Sequence, residues 1–186
     1  MHKVFISYHH DNDQWYKEEL LRFNDKHKIF VDESVDTGGI DESLSAETIR
    51  EKIRDEYLRD STVTILLVGT KTWGRKHVDW ELYSSMYDGK MNKRSGIVVI
   101  LLPSVYEGDG HGHAPHGAEE KRLVYPEISS WTSFTTRQQY EERYPYLPAR
   151  IIDQLVSSDE ARVSVVPWDR LNVERLRFLI DKAHDT

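Results

Sequence analysis

Four short stretches of the chain gather side chains able to do chemistry: Ser7-Tyr8-His9-His10, Asp32-Glu33-Ser34, Gly69-Thr70-Lys71, and His77 with Asp79, Trp80 and Glu81. Together they offer hydroxyl, imidazole, carboxylate and aromatic groups, a set suited to sugar hydroxyls, phosphates and planar bases. Ser7, Tyr8 and His9 can contact a ribose, a phosphate or a base, with Tyr8 presenting a ring face; they are equally readable as ordinary strand-end polarity. Asp32 either accepts a ribose hydroxyl or caps the loop that follows it. Trp80 either walls a pocket or fills a core. Glu81 can stabilise a developing oxocarbenium ion electrostatically from beside the sugar carbon, or it is a surface glutamate favoured by the helix dipole near a helix start.

Other constellations point less far. His111, His113 and His116, near Glu119 and Glu120, could ligate a metal, but they sit in the Gly-rich run Gly108-Asp109-Gly110-His111-Gly112-His113, which reads as a solvated loop, and no metal is expected. Gly38-Gly39, within Val35–Asp41, forms neither a GxGxxG fingerprint nor a Walker loop, so neither a resident redox dinucleotide nor ATP is signalled. That loop can gate a crevice, dock to another copy or simply turn. No Gly-x-Ser-x-Gly elbow is present, and the absence of cysteine removes thiolate metal sites, disulfides, Fe–S clusters and cysteine nucleophiles.

Composition narrows the setting further. The 186 residues carry 25 Lys and Arg against 32 Asp and Glu, a formal charge of −7, which gives nucleic acid and anionic membranes no general attraction. The longest apolar run, Ile97–Leu102, cannot span a bilayer, and the zero cysteine count fits a cytoplasmic location. The length fits one domain, residues 1–186.

Elements must position these groups. Val4–Ile6, Val63–Val68 and Ile97–Leu102 read as strands, and the last two are nearly continuous in apolar residues, as inner parallel strands are. Lys28–Val31 and Arg162–Val166 are weaker candidates. Helical stripes follow at Tyr16, Leu20 and Phe23 after Asp11-x-x-Gln14, at Ile49, Ile53 and Tyr57 after Ser43 or Ser45, at Val78, Leu82 and Met86, and at Val173, Leu176 and Ile180. The alternation predicts an α/β parallel sheet of flavodoxin-like order 2-1-3-4-5, with helices on both faces. The stretch from Ser104 to Ala161 is too long for a bare connection and must hold its own structure; Thr136-x-x-Gln139 is a capping box, and Pro148 suits the first turn of a further helix through Val156. In such a sheet ligands bind beyond the strand carboxyl ends, at the switch between strands one and three, which is the edge where the candidate residues fall.

These residues resemble the TIR (Toll/interleukin-1 receptor-like) domains, especially the bacterial branch that includes the NAD-consuming signalling subunit of Thoeris antiphage defence. Phe5-Ile6-Ser7-Tyr8 is similar to the first-strand box, and Phe30-Val31-Asp32 with Gly38-Gly39 to the second strand and BB loop. His77-Val78-Asp79-Trp80-Glu81-Leu82 is similar to the helix bearing the catalytic glutamate. His77 stands where many TIR domains have tryptophan, four residues before the glutamate. The likeness covers residues 3–102, continues loosely through Val166-Pro167-Trp168-Asp169, and leaves residues 104–161 as a branch-specific insertion.

The resemblance implies NAD as substrate rather than cofactor, with Glu81 catalytic and Ser7, Tyr8, His9, Asp32, His77 and Trp80 lining the substrate site. Cleaving the nicotinamide–ribose bond needs no general acid, because the cationic leaving group departs neutral, so one carboxylate suffices. The implied product is a cyclic ADP-ribose type signal sensed by a separate effector, and the implied assembly is a homo-oligomer through TIR contacts. A cyclase must also exclude water, and Trp131 and Phe134 of the insertion are expected to help cover the crevice. The alternative is a non-catalytic TIR-like interaction module in signal transduction, since one fold hosts both roles.

Overall fold

A computed structural model describes residues 1–34, 43–86, 94–106, 117–157 and 163–185. Its centre is a five-stranded, all-parallel sheet of β1 (Lys3–Ser7), β2 (Val31–Asp32), β3 (Val63–Val68), β4 (Gly96–Leu101) and β5 (Val163–Pro167), in the order β2-β1-β3-β4-β5. This is the flavodoxin-like topology that the alternating pattern implies. The helices are α1 (His10–His27), α2 (Ala46–Lys52), α3 (Lys76–Met86), α4 (Ala118–Val124), α5 (Arg137–Arg143), α6 (Ala149–Ser157) and α7 (Val173–His184).

The period of two along each strand sorts its side chains between two cores. Val4, Ile6, Val63, Ile65, Leu67, Val98 and Ile100 face the layer of α1 and α7, with Leu20, Leu176, Leu179 and Ile180. Leu66, Val68, Ile97, Val99 and Leu101 face the opposite layer, with Val78 and Leu82 of α3 and Ile151, Ile152 and Leu155 of α6. Phe5 also points to the α3 side and closes a third cluster with Ile49, Ile53, Leu58 and Trp80. The strands are therefore buried on both faces, which is why their sequences lack alternation.

Three boundaries depart from the sequence reading. Helix α1 starts at His10 with His9 as its N-cap and no side-chain cap, so Asp11 and Gln14 do not form the capping pattern; the Gln14 carboxamide accepts instead from the Tyr8 hydroxyl at 2.5 Å. Strand β2 begins at Val31 rather than Lys28, because the buried Asn24 side chain accepts from the Ile29 and Phe30 N–H groups and donates to the Phe30 carbonyl. That backbone is already satisfied and cannot pair with β1. The helix after Ser45 widens over Ile53–Tyr57 into a π-turn, closed by the Leu58 N–H on the Ile53 carbonyl at 2.9 Å.

Other expectations hold. Ser45 caps α2 by accepting from the Thr48 N–H, and Thr136 with Gln139 forms the capping box of α5. Pro148 sits just ahead of α6, its carbonyl accepting from Ile151 and Ile152. Between β4 and β5 lies a further helix, α4, which the sequence reading did not include. It is held by Glu120, fully buried against Ser164 of β5 and Lys182 of α7. Of the two rings expected to help cover the crevice, Trp131 packs edge-on against Tyr125 beside the α1/α7 core, and Phe134 edge-on against Tyr140 beside the opposite one. No described helix is long and apolar enough to cross a membrane.

Candidate functional site

The site is built where β1 ends and α3 passes over it. Period two puts Phe5 and Ser7 on the same face of β1, toward α3. One helical step on α3 sets Trp80 against the cluster containing Phe5 and brings Glu81 to Ser7. The Ser7 hydroxyl donates to Glu81 Oε2 at 2.6 Å, in a contact buried from solvent. Glu81 is 2% exposed and Ser7 1%.

The helix holds the glutamate's backbone as well as its side chain. The Ser85 hydroxyl donates back to the Glu81 carbonyl at 2.8 Å and lies 2.8 Å from the Thr64 hydroxyl on β3. A buried polar line thus runs from the central strand to the glutamate. The guanidinium of Arg54, on the π-turn, donates to the Ser84 carbonyl at 3.1 Å. Arg150 of α6 grips Asp79 with two bonds, at 2.5 and 3.1 Å. Helix α3 is therefore anchored on several sides, which fixes where it holds Glu81.

The remaining candidate residues are distributed around this pair. Tyr8 points the other way, into the α1/α7 core, stacked on His10 at 4.4 Å. His9 caps α1 through its carbonyl, which accepts from the Asn12 and Asp13 N–H groups, and its buried Nδ1 has no hydrogen-bond partner among the described residues. Asp32 is exposed; it accepts from the Ser34 N–H, and the Ser34 hydroxyl in turn accepts from Ile6 N–H. This fixes the exit of β2 against β1. Trp80 is buried in the third cluster, and the partly buried His77 meets it edge-on at 5.2 Å. Ser7 and Glu81 are thus brought into contact, His77 and Trp80 stand beside each other on the same helix, and Tyr8 lies on the far side of the sheet. Gly38-Gly39 and the histidines of 111–116 lie outside the described residues.

One group escaped the sequence reading. Asp13 is 1% exposed and sits against the turn between β3 and α3. Burial raises its carboxyl pKa above the usual value, opposed by the Asn12 amide, by the charge of His9 and by the Thr72 hydroxyl. Its spacing was the available signal: Asp13, Tyr16 and Leu20 fall at i, i+3 and i+7, so a carboxylate occupies the inward stripe of α1.

The family model described as Thoeris protein ThsB, TIR-like domain, matches residues 5–107, more than half of the chain. The matched stretch contains Ser7, Asp13, His77 and Glu81 and ends just past β4. No curated protein matches the chain.

Proposed function

Because the chain belongs to the Thoeris ThsB TIR-like domain family, which places it among the TIR-like proteins of antiphage defence, we propose that it cleaves NAD at Glu81, releasing nicotinamide and forming a cyclic ADP-ribose type signal. The observation that carries this reading is the buried Ser7–Glu81 contact at the switch point of the sheet. Cleavage breaks the bond between the ribose C1′ and the pyridinium nitrogen, and the electron pair leaves with nicotinamide. Positive charge then builds on the ribose. A carboxylate held in a dry, prearranged place stabilises that charge without reorganising, which is where electrostatic catalysis gains most. Ser7 fixes one carboxylate oxygen, and ribose hydroxyls of the substrate are the groups chemically equivalent to the Ser7 hydroxyl that can join or replace it.

Burial of Glu81 supplies the argument for the alternative, a non-catalytic interaction module. In that reading the Ser7–Glu81 bond is a strut between β1 and α3, and the surface alone is used. The two readings separate in a product analysis. Protein is incubated with NAD, with and without lysate from phage-infected cells, and the products are resolved by mass spectrometry. Nicotinamide with a cyclic ADP-ribose isomer supports the enzyme, linear ADP-ribose supports cleavage without cyclisation, and intact NAD in both conditions supports the module. The cytoplasmic location, the homo-oligomer and the downstream effector belong to the same proposal, since a diffusible nucleotide signal requires a compartment supplied with NAD and a protein that senses the product.

A further inference from the structure

The described residues contain three buried carboxylates, and they are held differently. Glu120 is paired with Lys182 and Ser164, and Glu81 accepts from Ser7. Asp13 makes no ion pair with any described residue. The Asn12 amide donates to its Oδ1 at 2.8 Å and the Thr72 hydroxyl to its Oδ2 at 3.4 Å, with His9 the one titratable group whose charge bears on it. A carboxylate desolvated with so little compensation weakens the fold. Groups of this kind concentrate at working sites.

Its surroundings say what the work is. Gly69 follows β3, and a Cβ placed there would stand 2.5 Å from Asp13 Oδ2 and 2.7 Å from its Cγ. Only a bare Cα lets the carboxylate come this close. The Gly69 N–H donates to the Thr72 hydroxyl at 2.9 Å, and that hydroxyl directs its proton to Asp13 or to the Leu67 carbonyl, each at 3.4 Å. Asp13 therefore reaches from the first turn of α1 into the turn that leads, through Thr72–Gly74, to α3.

We propose that Asp13 is a positioning residue for the Glu81 site: through Thr72 and the open face of Gly69 it ties the start of α1 to the turn that feeds α3, setting where that helix presents Glu81 to Ser7. The inference rests on the NAD-cleaving reading for its kinetic consequence, but the tie itself can be read without turnover. Asp13→Ala removes the tie, Gly69→Ala wedges it apart, and Asp13→Asn keeps one oxygen for the Thr72 hydroxyl.

In a nicotinamide-release assay corrected for folded fraction, Asp13→Ala and Gly69→Ala are expected to lower kcat about ten- to a hundredfold while KM stays within about threefold, as for a displaced catalytic group. Asp13→Asn should recover most of the loss. Amide hydrogen exchange is measured on the same proteins, and faster exchange in Asp13→Ala confined to residues 69–80 supports the tie. Wild-type exchange over those residues overturns it, whatever the turnover, and so does wild-type kcat in a folded Asp13→Ala protein. If Asp13→Ala does not fold, Thr72→Ser and Thr72→Val make the same comparison: loss only in the valine variant supports the tie, and wild-type turnover in that variant overturns it. A wild-type protein that releases no nicotinamide sinks the NAD reading alone, and the exchange measurement then decides the tie.

Discussion

The contact between Ser7 and Glu81 can be weighed by a double-mutant cycle. Ser7→Ala deletes one hydroxyl at a buried strand end and changes little volume, so its effect isolates the hydrogen bond. The bond is 2.6 Å long, buried, and made to a carboxylate side chain, and hydrogen bonds to charged groups contribute about 1.5–3 kcal/mol. In a protein of this size each kcal/mol moves the melting temperature by roughly 2–4 °C, so Ser7→Ala should melt about 3–12 °C lower. Glu81→Gln breaks the charged half of the same contact, and the double variant should lose less than the sum of the two. Urea unfolding followed by tryptophan fluorescence suits the measurement, since Trp80 lies buried next to Glu81 in the chain. A coupling of about 1.5–3 kcal/mol is the expected result. Coupling within about 0.5 kcal/mol of zero, the range of independent sites, would show that Ser7 and Glu81 do not stabilise each other.

Three further outcomes follow from the packing. The carboxyl of Asp13 holds its proton more tightly in the folded protein than the ordinary value of 3.8, so its contribution to stability is fully present below that value and is lost as pH rises through the raised one. Stability of Asp13→Asn relative to wild type, from urea titrations in steps from about pH 4 upward, should therefore rise with pH, and a flat difference would count against the assignment; His9, Asn12 and Thr72 are the groups that face it. Gly96→Ala would drive a Cβ into the Ala183 carbonyl of α7, and overpacking of this kind costs about 1–3 kcal/mol or more, measurable as a lower urea midpoint. Arg150→Lys gives up the two-bond grip on Asp79 and the stacking over Tyr83, and being partly exposed should cost about 0.5–1 kcal/mol in the same assay.

Particular residues explain which parts of this architecture could be read from the chain. The runs Val63–Val68 and Ile97–Leu102 are apolar because both sheet faces are covered, and that local signal located the two central strands and, with the helical stripes, the strand order. The position of β2 could not be read the same way, since a polar side chain at the end of α1, Asn24, takes over the backbone of Ile29 and Phe30. Helix α4 left no stripe because one of its inward groups is a carboxylate, Glu120, satisfied by residues 44 and 62 positions away. Ile49, Ile53 and Tyr57 recur at steps of four and do meet in one cluster, while the π-turn over the last of these steps left no mark in the pattern. At the site, the sequence places Glu81 on the helix after β3 and Ser7 at the end of β1, while the contact between them is left unmarked, since a serine at a strand end does not show what it will touch. Asp13 was obscured by reading Asp11 as the capping residue.

On the proposed mechanism, Glu81 supplies the charge under which the nicotinamide–ribose bond breaks. The direct test is release of nicotinamide from NAD by wild-type protein and by Glu81→Gln, compared at equal folded concentration under the conditions in which the wild type is active. Release by the wild type is expected, with a rate at least about a hundredfold lower in the variant, as for removal of one preorganised electrostatic group. Wild-type release from a folded Glu81→Gln protein would contradict that mechanism.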